Sequence, residues 1–135
     1  MLERLHALAA KREHFAFETT LAARTYVPWL KQLAQGGYEV HLVYFWLGNP
    51  DLAIARVAER VRRGGHYVPD ATVRQRYQRS LDYFFDLYKP LAATWRVYTN
   101  MQAGRCLPMA FVDSAGAETI VEPKLWNTML GQRSP

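Results

Sequence analysis

The chain has 135 residues, 50% of them hydrophobic and 21% charged, which is enough to close one core and too little for two domains of ordinary size. An aromatic content of 13% and the lack of any uninterrupted apolar run of roughly 18 residues exclude a disordered chain, a collagen and a membrane-spanning helix. The formal net charge is +5, and a single cysteine, Cys106, excludes an internal disulfide.

Residues 1–12 place Leu2, Leu5, Leu8 and Ala9 at helical spacing among Glu3, Arg4, Lys11 and Arg12, which predicts an amphipathic helix without an N-terminal cap. His14, Phe15, Ala16, Phe17 and Glu18 read as a short buried strand running into a polar loop at Thr19 and Thr20. Residues 22–35 form a helix perturbed in its first turns by Pro28 and stopped by Gly36 and Gly37. Residues 38–46 are rich in β-branched and aromatic side chains and apolar at their end, which places this strand inside the sheet.

Asn49 and Pro50 form the cap and first position of a helix over residues 51–63, with Ile54, Val57 and Val61 as its buried face and Gly64 and Gly65 at its end. A loop from His66 to Pro69 leads to Asp70, expected as a second cap, and to a helix over residues 71–88 with Val73, Tyr77, Leu81, Phe84 and Tyr88 on one face. Residues 91–99 contain a third strand around Trp95–Thr99, residues 107–112 and 118–121 form a hairpin across the turn at Asp113–Gly116, and a short helix over residues 123–130 docks Leu125, Trp126 and Met129. Alternating helices and apolar strands indicate one α/β domain with a mostly parallel sheet and right-handed crossovers.

The positive charge is concentrated. Between positions 56 and 79 stand seven arginines (Arg56, Arg60, Arg62, Arg63, Arg74, Arg76, Arg79) against Glu59 and Asp70, an excess equal to the net charge of the whole chain. All seven are Arg, whose planar fork suits phosphate or carboxylate; a solvated basic surface is the plainer alternative. Arg56, Arg60 and Arg63 follow one side of the first helix, Arg76 and Arg79 stand three apart on the second, and the glycine pair between them allows the helices to close as a lid over an anion. Glu18, Thr19 and Thr20 lie at the C-terminal end of a strand, where open α/β sheets bind ligands; Glu18 there can bond substrate hydroxyls, while the competing assignment makes Thr20 a helix cap.

Several stretches resemble the zeta-toxin-like P-loop kinases, in the group described as predicted ABC-type ATPases. They are FAFETTL from Phe15, GYEVHLVYFWL from Gly37, PDLAIARVAERV from Pro50 and RGGHYVPDATVRQRY from Arg63, continuing through Tyr88, Lys89 and Pro90. The resemblance implies an incomplete three-layer P-loop-kinase fold with an Arg-rich helical lid. It also implies transfer of the ATP γ-phosphate, with Mg²⁺, to a hydroxyl of a small molecule, UDP-N-acetylglucosamine being the substrate of zeta toxins. Glu18, Thr19 and Thr20 would hold the substrate, and members of Arg56, Arg60, Arg63, Arg74 and Arg76 would contact the phosphates.

No glycine in the chain is followed by lysine, so the G-x-x-x-x-G-K-[ST] loop is absent, and the family's acidic base is expected upstream of Met1. The 135 residues therefore resemble the substrate-loop and lid half of such a kinase, inactive on its own. An antitoxin, or self-association through an unpaired sheet edge, are the protein partners that follow.

The alternative is a non-catalytic nucleotide- or nucleic-acid-binding module with Tyr67, Tyr77 and Tyr83 as stacking surfaces. His6, His14, His41 and His66 have no ligand spacing, so no metal site is expected, and Cys106 reads as a core or turn residue. The N-terminus lacks a secretory apolar run, which together with the lone cysteine points to the cytoplasm.

Overall fold

The computed structural model describes residues 2–100 and 105–135; Met1, included in the first expected helix, lies outside them. In chain order it contains α1 (Leu2–Ala10), α2 (Val27–Gln35), β1 (His41–Trp46), α3 (Pro50–Arg62) and α4 (Asp70–Tyr83). A π-helical turn (Phe84–Tyr88) and a 3₁₀ turn (Lys89–Leu91) follow, then β2 (Thr94–Thr99), β3 (Leu107–Val112), β4 (Glu118–Ile120) and α5 (Pro123–Gly131). None of the described helices is long and apolar enough to cross a membrane.

The sheet has the order β1-β2-β3-β4 and is mixed. Only β1 and β2 run parallel, with His41 opposite Thr94 and Trp46 opposite Thr99; β2–β3 and β3–β4 are antiparallel. This corrects the expected mostly parallel sheet. A parallel pair needs a long crossover, supplied here only between β1 and β2 by α3 and α4, whereas the tight turn after Val112 closes an antiparallel hairpin. Asp113 holds that turn by accepting from the Ala115 and Ala117 amides, both at 3.0 Å.

Three further expectations are corrected. β1 lies at the edge of the sheet instead of inside it, because no described strand occupies its other flank. Residues 14–18 form no strand, since a strand exists only where a ladder partner lies beside it. The second helix begins at Val27, five residues later than expected, because Pro28 is tolerated only in a first turn.

The local chemistry of α3 agrees with its sequence. Asn49 Oδ1 accepts from the Leu52 amide at 3.0 Å, Pro50 opens the helix, and Gly64 at φ +95° reverses the chain after it. In α4, Asp70 is the first helical residue and Pro69 flanks it without a side-chain cap, so Asp70 complements the helix dipole and does not cap it. The expected helix over residues 71–88 widens into the π-helical turn from Phe84.

The core is one-sided, so the described residues do not build the three-layer arrangement. Tyr44, Trp46, Trp95, Val97, Met109 and Ala110 of the sheet pack against Leu81, Phe84, Phe85, Tyr88, Trp126 and Met129 in one buried cluster. Trp95 and Trp126 stack with centroids 5.6 Å apart, and the Lys89 ammonium sits 4.6 Å from the Trp95 centroid. On the opposite face Val43 and Phe45 are 50% and 55% exposed. The C-terminal tail is tied to the β1–α3 connection by Gln132, whose Nε2 donates to the Gly48 carbonyl at 2.7 Å and whose Oε1 accepts from Tyr77 at 2.7 Å and from Trp46 Nε1 at 3.3 Å. Cys106 is an exposed free thiol immediately before β3, which removes the core half of its expected role.

Candidate functional site

Residues 14–20 have no ladder, yet their aromatic residues alternate as in an extended chain. Phe15 stacks on Trp29 at 5.9 Å and meets Tyr38 edge-on at 5.9 Å, while Phe17 lies 4.9 Å from Tyr26. Tyr38 also donates to the Glu13 carbonyl at 3.0 Å. The two phenylalanines thus hold the segment on α2, and the residues between and after them face outward. The segment ends in two hydroxyl-closed turns, in which Thr19 Oγ1 accepts from the Leu21 amide and Thr20 Oγ1 from the Ala22 amide, each at 3.3 Å. Thr20 is therefore a turn residue and not a cap, since α2 begins only at Val27. Leu21 is buried with φ +58°, a left-handed conformation that costs a non-glycine residue about 1 kcal/mol and is held here by burial of its side chain.

Facing this segment is the helix pair α3–α4. Gly65 donates its amide to the Arg60 carbonyl at 2.8 Å, and a Cβ on Gly65 would stand 2.9 Å from that same oxygen, so only glycine allows the chain to leave α3 this closely. Arg74 of α4 reaches back to Asp51 at the start of α3 with a 2.6 Å ion pair, both groups being largely exposed.

Between these parts lies an open cavity of about 1090 Å³. It is lined by Glu18, Thr19 and Thr20 on one side, by Arg60 of α3 and Arg76 of α4 on another, and by residues 39–45 along β1. Among the described residues neither Arg60 nor Arg76 has an acidic partner or a side-chain hydrogen bond, and the same holds for Glu18.

Of the five arginines that the resemblance assigned to phosphate, the other three are engaged elsewhere, and Arg79, expected beside Arg76, does not line the cavity. Arg56 donates to the Asn100 carbonyl at the end of β2, Arg63 folds back on Glu59 at 3.1 Å, and Arg74 pairs with Asp51. Periodicity put Arg56, Arg60 and Arg63 on one side of a helix, but the reach of each side chain to a local acceptor decides where its guanidinium ends. Arg74 and Arg76 are two apart, a spacing that sends side chains to different faces of a helix, so only one of them can line the cavity.

Sequence reasoning missed Tyr44 in the cavity wall and had Tyr77 only as a helix-face residue and a stacking surface of the alternative reading. Tyr44 of β1 shares a 3.1 Å hydrogen bond with Ser80, and Tyr77 lies on the neighbouring stretch of α4. Burial pushes both phenols up to about 12, the Ser80 hydrogen bond partly opposing this at Tyr44 and the Trp46 and Gln132 contacts at Tyr77. The only trace of this in the sequence is their place on the apolar face of each element.

Both groups stay protonated in the folded chain at pH values where an unfolded tyrosine, with a pKa of about 10, has ionised. Stability is expected to be intact below pH of about 10 and to fall as pH rises toward about 12, with Tyr44, the more buried, accounting for about 3 kcal/mol. Urea denaturation across that range measures it, and Tyr44→Phe should flatten the slope; an unchanged slope in the variant would remove Tyr44 as its source.

No family model and no solved structure significantly matches the chain. An uncharacterized protein of Haemophilus influenzae (strain ATCC 51907 / DSM 11121 / KW20 / Rd) is 31% identical over 70 residues, half of this chain and half of that protein.

Proposed function

We propose that the chain is the substrate-holding and lid portion of an ATP-dependent small-molecule kinase, with the cavity as the place where phosphate and hydroxyl-bearing substrate meet. The observation that carries this is the convergence of Arg60 and Arg76, from two helices joined through a glycine hinge, on the cavity that Glu18 and Thr20 also line. Two arginines without acidic partners offer a phosphate group paired, charge-assisted donors, each such bond contributing about 1.5–3 kcal/mol. Glu18 accepts from a sugar or alcohol hydroxyl, and Thr20 adds a second polar contact. Phosphoryl transfer depends mainly on positioning and charge stabilisation, which these residues supply.

The 135 residues contain no Walker A lysine, so the β- and γ-phosphates gain only the lid contacts from this chain. Among the described residues no three His, Cys, Asp or Glu side chains gather to hold a metal, so Mg²⁺ would arrive on the nucleotide phosphates, its common mode of binding. A compartment of reducing character, the cytoplasm, suits the exposed free thiol of Cys106.

A single-stranded nucleic-acid reading is favoured by one feature, Tyr67 in the hinge loop, which is 73% exposed beside the arginines. Against it, Arg62, Arg63 and Arg74 spend their charge on Glu59 and Asp51, and Tyr77 and Tyr83 are partly buried. Calorimetric titration of the full chain with Mg·ATP and with a short single-stranded oligonucleotide separates the two. The kinase reading expects saturable ATP binding, tighter than oligonucleotide binding once salt is raised to about 0.2 M. Oligonucleotide binding that exceeds ATP binding at that salt would replace it.

A further inference from the structure

α3 is held by polar ties more than by packing. None of its 13 residues is buried, whereas α4 is anchored in the core through Val73 and Leu81 and β1 through Tyr44 and Trp46. Three ties reach the first half of α3: the exposed ion pair of Asp51 with Arg74, the bond from Arg56 to the Asn100 carbonyl, and the bond from Gln132 to the carbonyl of Gly48, the residue before the Asn49 cap. An exposed ion pair contributes little. At its other end α3 leaves through Gly64 and Gly65, so the position of Arg60 relative to Arg76 depends on what fixes the start of the helix.

The Gln132 amide grips three elements at once. Its Nε2 donates to Gly48 at 2.7 Å, and its Oε1 accepts from Tyr77 of α4 at 2.7 Å and from the Trp46 indole of β1 at 3.3 Å. These partners dictate which way the amide faces, since an indole N–H only donates and a carbonyl only accepts. The backbone around it is moored to α4: Gln78 Nε2 donates to the Gln132 carbonyl at 2.9 Å, and the Ser134 amide and hydroxyl donate to Asp82 at 2.9 and 2.6 Å. Arg133 adds a 2.9 Å ion pair to Asp86 in the π-helical turn. Gln132 does not line the cavity, but its partner Tyr77 does, next to Arg76.

We propose that Gln132 is a positioning residue of the lid: its amide fixes the start of α3 against β1 and α4, and thereby brings Arg60 to the same anion as Arg76. The inference rests on the reading of the cavity as a phosphate site. Glutamine suits the place by length and by polarity. A glutamate keeps the two acceptor contacts but turns an oxygen toward the Gly48 carbonyl, which repels it. A leucine of similar size makes none of the three bonds and takes the acceptor from the Trp46 indole, a residue only 1% exposed.

Gln132→Leu and Gln132→Glu in the full chain test this, with far-UV circular dichroism to check that both stay folded. Without ligand, residual dipolar couplings of the α3 amides should shrink by about a third or more in Gln132→Leu, while those of α4 and β1 keep the parent values, because α3 swings about its glycine hinge. In calorimetric titration with Mg·ATP at pH of about 8, both variants should bind at least about tenfold more weakly than the parent, the worth of one charge-assisted contact. At pH of about 5 the carboxyl introduced by Gln132→Glu gains a proton and donates to Gly48, so its deficit against the parent at that pH should narrow at least about threefold, while Gln132→Leu keeps its deficit. The other titratable groups on the elements around it, Tyr77, Asp82, Asp86 and Arg133, are common to parent and variants and drop out of the ratio. Unchanged α3 couplings or parent-like ATP binding in Gln132→Leu would overturn the proposal, as would equal deficits of the two variants at both pH values. A parent chain that binds no ATP would overturn the phosphate reading instead, and the couplings alone then decide whether Gln132 places α3.

Discussion

Phe84→Ala is expected to destabilise the chain by about 3–5 kcal/mol, read from the urea midpoint. Phe84 is fully buried at the point where α4 widens into the π-helical turn, and it joins elements distant in sequence: its ring stacks on Tyr44 of β1 at 4.6 Å and meets Phe85 and Trp95 of β2 edge-on at 5.0 and 6.2 Å. Truncation leaves a cavity bordered by three other rings, which cannot collapse without moving the sheet. A domain of this size has roughly 5–15 kcal/mol in total, so the variant is expected to populate unfolded chain without denaturant if the parent lies at the low end. Phe45→Ala is the control: Phe45 is 55% exposed and stacks only on Tyr98, at 5.7 Å, and its loss should cost about 1 kcal/mol. Equal losses at the two positions would mean that the second face of the sheet is covered.

Arg60→Ala combined with Arg76→Ala is expected to weaken ATP binding at least about a hundredfold, the sum of two charge-assisted hydrogen bonds of about 1.5–3 kcal/mol each. Each single variant should lose about tenfold or more. Arg63→Ala and Arg74→Ala carry the same charge change, but those side chains pair with Glu59 and Asp51, and their effect should stay within about threefold. Because all four side chains are exposed, thermal unfolding should move little in any of these variants. Equal losses across the four arginines would show that only total charge matters, and the assignment of Arg60 and Arg76 to a phosphate would fall.

The candidate site was partly legible in the chain order. The residue types were visible in advance: an acid and two threonines after an aromatic run, a glycine pair between two arginine-bearing helices. Which arginines reach the cavity was not visible, because a guanidinium extends several bonds beyond its backbone position and settles on whichever acceptor lies within reach. Arg56 is captured by a carbonyl 44 residues away, at Asn100, a contact that spacing along α3 does not encode. The meeting of Tyr44 and Tyr77 in the cavity wall was equally hidden, since they are 33 positions apart and come together only through the packing of β1 on α4.

Helix boundaries governed by neighbours in sequence were determined by the sequence itself: the Asn49 cap, the glycine reversal after Arg62, and Trp126 and Met129 as the docking face of α5. These depend on backbone contacts between residues three or four apart, which residue types encode directly. Strand direction, the edge position of β1 and the absence of a strand at residues 14–18 were decided only by the tertiary structure. A strand's hydrogen bonds belong to a partner elsewhere in the chain, so an apolar, β-branched run records the tendency to pair but not with what, in which direction, or whether the partner is there.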